Sequence, residues 1–361
     1  YSEYRQAKLA ASAPGLGAQT RAKQPKQVGS RSKPETLSRN RRQQLEKKLA
    51  ALEARIHALE SEKALLMIER DVYWPKWDSP WWYMLLLDET SRLAEIPVPV
   101  FKELLTCADR QFLKIFPVRE EDVDGPVNGH TEVMCFCFFG GLMKLAAKLE
   151  FDVFAHVPWA KDWVNRYQLP DGGYNCDESV YTGSGKSSLI STTVMLEGMI
   201  EYARFSQQPD IFASNMQKAV SYLLKHQLFL TSKGQPVEGT SWDKVIFPRF
   251  YEFDFTRSLE AVFDFLLLTG KKVRGIAVEK ALALLDKKIA AKLDHSEKPW
   301  LSEEKTVSYY IEKPIPFKDM ANVPLVMKLL NSSAPNEFVP AMLARVAKKH
   351  EEVKSRGLIV A

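Results

Sequence analysis

The chain is short of the residues that mark several protein classes. Its 361 residues include four cysteines, Cys107, Cys135, Cys137 and Cys176, too few for a disulfide-stapled scaffold. Two of them stand in the apolar run MCFCFFGG, where buried free thiols of a reducing compartment are expected. A cytoplasmic setting is the matching expectation. No run reaches the roughly 18–20 apolar residues of a membrane-spanning helix. The first residues, YSEYRQAKLA, lack the basic-then-apolar order of a secretory leader. No Walker B or transporter signature motif is present, and no cofactor or metal is expected. His130 with Cys135 and Cys137 brings zinc to mind, but a spacing of two on a helix points the two thiols apart.

Apolar residues make up 45% of the chain, enough for a large core. The net charge of +5 is unevenly spread. Residues 1–70 hold 15 Lys/Arg against 7 Asp/Glu, whereas the remainder holds 35 against 38. The basic character therefore belongs to the N-terminal arm, although nothing else there points to nucleic acid. Residues 1–37, rich in Ala, Gly, Ser, Gln, Pro and basic side chains, bury too little apolar surface to fold and are expected to be a disordered linker. From Ser38 to Arg70 the pattern is helical. Leu45, Leu49, Leu52, Ile56 and Leu59 form a heptad seam that Leu66 continues and Lys63 interrupts. Residues 45–66 thus call for a partner helix.

Residues 71–361 read as an all-α domain. Apolar periodicity predicts helices near 98–116, 131–149, 158–167, 188–206, 211–230, 250–268, 278–293, 317–331 and 337–354. Gln111, Gln168 and Gln227 end three of the more polar helices, at spacings of 57 and 59 residues. Each is followed by an apolar helix, so the unit is a polar helix, a loop and an apolar helix. Such pairs stack as an open solenoid or close into a ring.

Gln168–Tyr174, QLPDGGY, resembles the glutamine–aromatic repeat of squalene–hopene cyclases and protein prenyltransferase β subunits. By pattern the resemblance spans about residues 75–335. It implies an α/α-toroid, a partial or closed ring of helix pairs around a central cavity that takes an apolar or isoprenoid ligand. The motifs for catalysis in that superfamily are missing. Asp122 and Asp124 lack the adjacent acidic pair of the cyclases, and Cys176 follows Asn175 where the transferases have an Asp-x-Cys pair. Residues 1–70, with LSRNRRQQLEKKLAALEARIHALESEKALL, resemble the C-terminal tail of ABC-F type ATPases; without Walker motifs the resemblance implies no ATPase.

Three stretches carry chemistry-bearing side chains. GSGKSS at 183–188 imitates a phosphate loop, but the first glycine of that motif falls on Val180 and no apolar strand precedes it. Ser187 or Ser188 is expected to cap the next helix, with Lys186 beside a helix N-terminus suited to an anion. In NCDESVY, Asp177 and Glu178 are candidate acid and base, and Tyr174, Cys176 and Tyr181 candidate ligand contacts; a solvated acidic loop explains them as well. In SWDKVIFPRFYEFDFTRSLEAVFDFL, Asp254 and Tyr251 are candidate catalytic groups. Trp242, Arg249, Phe250 and Arg257 are candidate ligand contacts there. On a continuous helix Phe250, Asp254 and Arg257 share a face, as a cavity wall or as a buried ion pair. Three functions fit: an isoprenoid-type toroid enzyme, a non-catalytic scaffold or binding module, and a carbohydrate-active (α/α) lyase or hydrolase.

Overall fold

The structure, a computed structural model, describes residues 60–117, 131–183, 185–250, 252–301, 305–308 and 318–360, with Lys47, Glu121 and residues 123–125, 127 and 129. The chain divides into two units, residues 1–62 and 63–361. The linker and most of the heptad helix lie outside the described residues. Residues 63–70 are helical and pass to the second unit. Ile68 is buried, and Gln111 Nε2 donates to the Ile68 and Glu69 carbonyls while its Oε1 accepts the Val72 N–H.

The second unit is mostly helical, and among its described residues no helix is long and apolar enough to cross a membrane. The helices are α1 (Pro80–Glu89), α2 (Val98–Gln111), α3 (Phe136–Lys148), α4 (Val153–His156), α5 (Trp163–Arg166), α6 (Leu189–Phe205), α7 (Ala213–Lys225), α8 (Phe255–Thr269), α9 (Glu279–Ala290), α10 (Leu325–Leu330) and α11 (Phe338–Ser355). Among the described residues four short strands form two ribbons. Parallel β1 (Val273–Arg274) pairs with β4 (Ile359–Val360), and antiparallel β2 (Lys305–Ser308) pairs with β3 (Lys318–Asn322).

Several predicted helices change extent. The one expected over 158–167 is a 3-10 turn, Pro158–Lys161, followed by α5. That expected over 317–331 gives β3 and then α10, because Pro324 favours extended backbone at Val323 and breaks the helix there. The helix expected from 250 begins at Phe255, since Asp254 is its N-cap. Phe250 therefore does not share a helical face with Asp254 and Arg257.

Amphipathic helices alternate with apolar ones in three pairs, α2 with α3, α4–α5 with α6, and α7 with α8, whereas α9 and α11 are both amphipathic. α3 buries Phe136, Phe138, Phe139, Leu142, Met143 and Leu145, and packs most extensively against α6. α6 in turn packs on α8, and α8 on α11. QLPDGGY is the staple between an amphipathic helix and the apolar helix after it. Gln168 Nε2 donates to the Gly172 and Asn215 carbonyls, and Gln168 Oε1 accepts from Asn215 Nδ2. Gly172 has φ of 104°, a conformation L side chains rarely adopt. Asp171 accepts the Ser187 N–H and hydroxyl, and Tyr174 Oη donates to the Val164 carbonyl.

Candidate functional site

The predicted site residues separate into three places. The first is the loop between α5 and α6. Tyr174 is buried and its backbone N–H donates to Thr192 Oγ1. Tyr181 Oη is tied to Asn175, accepting its N–H and donating to its carbonyl. Burial pushes both phenols up, so neither is a ready acid at neutral pH. Asp177 caps the 3-10 turn Glu178–Tyr181, accepting the Ser179 N–H and hydroxyl, and Asp177 and Glu178 are both exposed. Ser188 rather than Ser187 is the N-cap of α6. Lys186 is exposed, and its carbonyl accepts from Asn175 Nδ2.

Cys176 stands at the centre of this loop. Its Sγ lies 3.0 Å from Cys137 Sγ, accepts the Cys137 N–H at 3.3 Å and accepts the Ser191 hydroxyl at 3.2 Å. The thiols of Cys135 and Cys137, helped by Ser191 and the Cys137 N–H, hold Cys176 well below the ordinary thiol range despite burial. The contact with Cys176, and then burial, push Cys135 and Cys137 up. The expectation that Cys135 and Cys137 point apart on a helix fails for a local reason. Cys135 is the N-cap of α3, outside the helix, and its Sγ accepts the Phe138 N–H at 3.4 Å. Among the described residues no three His, Cys, Asp or Glu side chains are arranged to hold a metal ion.

The second place is where the apolar helices converge. Ion pairs follow the helices in order. Asp88 of α1 meets Lys144 at 2.9 Å and Lys148 at 2.6 Å, both on α3. Lys144 meets Glu197 of α6 at 3.4 Å, and Glu197 takes Arg257 of α8 in two bonds of 2.7 and 2.9 Å. Glu260 and Asp264 of α8 bind Arg345 and Lys349 of α11. Arg257 also donates to the Phe250 and Glu252 carbonyls, so its donors are committed. Asp254, fully buried, accepts the N–H groups of Ile246, Thr256 and Arg257 and the Thr256 hydroxyl, which makes it a cap with no oxygen left for chemistry. Arg249 is buried with Nη2 3.6 Å from Glu260; among the described residues its Nε and Nη1 have no partner. Tyr251 lies outside the described residues.

Phe250 packs on Trp77, Trp82 and Trp300, ring centres 4.9–5.9 Å away. The space remaining beside Asp88, Glu89, Cys137, Lys144, Phe250 and Arg257 is about 10 Å³, room for about one water molecule. The third place holds Trp242. It lines an open groove of about 550 Å³ between the segment 229–243 and α9, with Phe229, Leu230, Pro236, Val237 and Leu284. Lys280, Lys287 and Asp243 are the charged members of its lining. This groove was not legible in the sequence, because its walls come from segments with no shared motif.

The chain matches no protein-family model, and comparison with curated proteins and with solved structures gives no match.

Proposed function

We propose that residues 63–361 form an α/α-toroid of the cyclase/prenyltransferase kind used as a binding module, not as a cyclising or prenyl-transferring enzyme. The alternation of helices and the glutamine staple support the toroid. The observation that carries the binding-module reading is the 10 Å³ space where the apolar helices meet. A ligand pocket needs about 300–1,000 Å³, and here tryptophans, Phe250 and ion pairs occupy the middle. An apolar ligand then has its place in the groove beside Trp242, whose volume is in that range. Its aliphatic and aromatic lining suits a hydrocarbon chain. Lys280 and Lys287, both exposed, suit an anionic end group.

The test uses dansylaminoundecanoic acid, a fluorescent aliphatic carboxylate. Saturable binding to the full chain is expected, weakened about tenfold or more by Leu284→Glu, since losing one apolar contact costs about 1.5 kcal/mol or more. Three results overturn the reading: no saturable binding, binding indifferent to Leu284→Glu, or turnover of an isoprenoid diphosphate by the purified chain.

A further inference from the structure

We infer that Cys176 and Cys137 are a redox dithiol: a hydroperoxide oxidises Cys176, and Cys137 then closes a disulfide with it. This does not rest on the groove or on the binding reading. Four features of the site lead to it.

The two sulfurs are already in contact at 3.0 Å, across a sequence separation of 39 residues. Cys176 Sγ also faces the first turns of two helices. Cys137 is the second residue of α3 and donates its N–H, and Ser191 in the first turn of α6 donates its hydroxyl. Donors and dipoles at helix N-termini favour a thiolate over a thiol. Cys176 is half-buried, with exposed Asp177 and Glu178 beside it, so a small peroxide can reach it. Finally, the third thiol, which also contacts Cys176, is in addition held by the backbone. Cys135 Sγ accepts the Phe138 N–H as the N-cap of α3, whereas Cys137 Sγ makes no such cap.

The chemistry balances with hydrogen peroxide as oxidant. The Cys176 thiolate attacks one peroxide oxygen, the O–O bond breaks, and hydroxide leaves to take up a proton as water. Cys176 is now a sulfenic acid. Cys137 sulfur attacks the Cys176 sulfur, the S–O bond breaks, and the hydroxyl leaves as water with the Cys137 proton. Two thiols and one peroxide give one disulfide and two waters. The bond ties the start of α3 to the loop that precedes α6, and a dithiol reductant reverses it.

The experiment uses the reduced full chain, treated with hydrogen peroxide, alkylated after unfolding and mapped by mass spectrometry without reduction. A cross-linked peptide pair is expected, with fragment spectra assigning the bond to Cys137 and Cys176. Cys107 and Cys135 stay alkylatable, and dithiothreitol restores the two lost thiols. In Cys137→Ser, a dimedone-trapped sulfenic acid accumulates on Cys176. A bond to Cys135, oxidation spread evenly over the four cysteines, or a Cys176 that stays reduced overturns the inference. Should Cys137→Ser fail to fold, the mapping of the unaltered chain still decides.

Discussion

Gly198 of α6 sits against Gly140 of α3 so closely that a Cβ on Gly198 would lie 2.5 Å from the Gly140 carbonyl oxygen. The reverse is equally tight, since a Cβ on Gly140 would lie 2.5 Å from the Val194 carbonyl oxygen. Both obstacles are backbone, which cannot swing aside as a side chain can. The two helices that share the largest interface are therefore held at glycine distance.

Replacing Gly198 with alanine tests this. Helix propensity alone favours alanine by about 1 kcal/mol, so a stabilised variant would mean that the helices are farther apart. The expected outcome is the opposite: overpacking that costs about 1–3 kcal/mol, read as a lower midpoint of urea unfolding. Gly183, with nothing within 4 Å of a built Cβ, is the control and should tolerate alanine.

The ion pairs make a second prediction. Arg257 is 5% exposed and satisfies Glu197 together with the carbonyls of Phe250 and Glu252. Arg257→Ala leaves a buried carboxylate with Lys144 as its remaining cation partner at 3.4 Å. Removing one member of a buried pair costs about 3–5 kcal/mol. Adding Glu197→Ala should cost less than the sum of the two single changes, because the orphaned charge goes with it. Additive losses in chemical denaturation would show that the two side chains do not act as a unit.

How much of this was readable beforehand differs from residue to residue. QLPDGGY announced a turn because its residues are nearly irreplaceable there: Gly172 at positive φ, Asp171 under Ser187, and Gln168 bridging to Asn215. Apolar periodicity likewise located α3, α6 and α8. Pairing across the fold was not readable. Glu197 and Arg257 are 60 residues apart, and neither neighbourhood marks the other as its partner. Asp254 looked like a candidate catalyst because an acid among aromatics is unusual, but an acid just before a helix is also what an N-cap requires. A helix expected from 131 puts Cys135 inside it, whereas α3 starts at Phe136 and leaves Cys135 as its N-cap, and that difference hides the thiol cluster.

Acid should weaken the same ion pairs. Burial pushes the Glu197 carboxyl up, but Arg257 and then Lys144 overcome it and hold it at about 2. Asp88, with Lys144 and Lys148, and Glu260, with Arg345, Lys349 and Arg249, are likewise held well below the usual range against burial. A carboxyl whose folded value lies below its unfolded one, about 4, contributes stability that is fully present above that unfolded value. The contribution is lost as pH falls through the folded value. Thermal midpoints should therefore drop steeply between about pH 4.5 and 2. The gap between the unaltered chain and Glu197→Gln should narrow over the same range. Parallel curves would place the acid sensitivity elsewhere.

Thiol alkylation separates the cysteines by their surroundings. Cys107 is pushed up to about 12, by burial first and then by Glu103, whose carboxylate accepts its thiol. Cys176 moves the other way, held down by the Cys135 and Cys137 thiols and by Ser191. Iodoacetamide reacts with the thiolate, and an ordinary cysteine loses reactivity below about pH 8.5. Cys176 in the folded chain should keep its rate as pH falls through 8 and 7, while Cys107 stays unmodified at both values. Ser191→Ala removes one donor to the thiolate and should move the Cys176 profile toward higher pH without changing Cys107. If Cys176 follows the profile of an unstructured cysteine, the helix N-termini and neighbouring thiols are not activating it, and its closeness to Cys137 is packing alone.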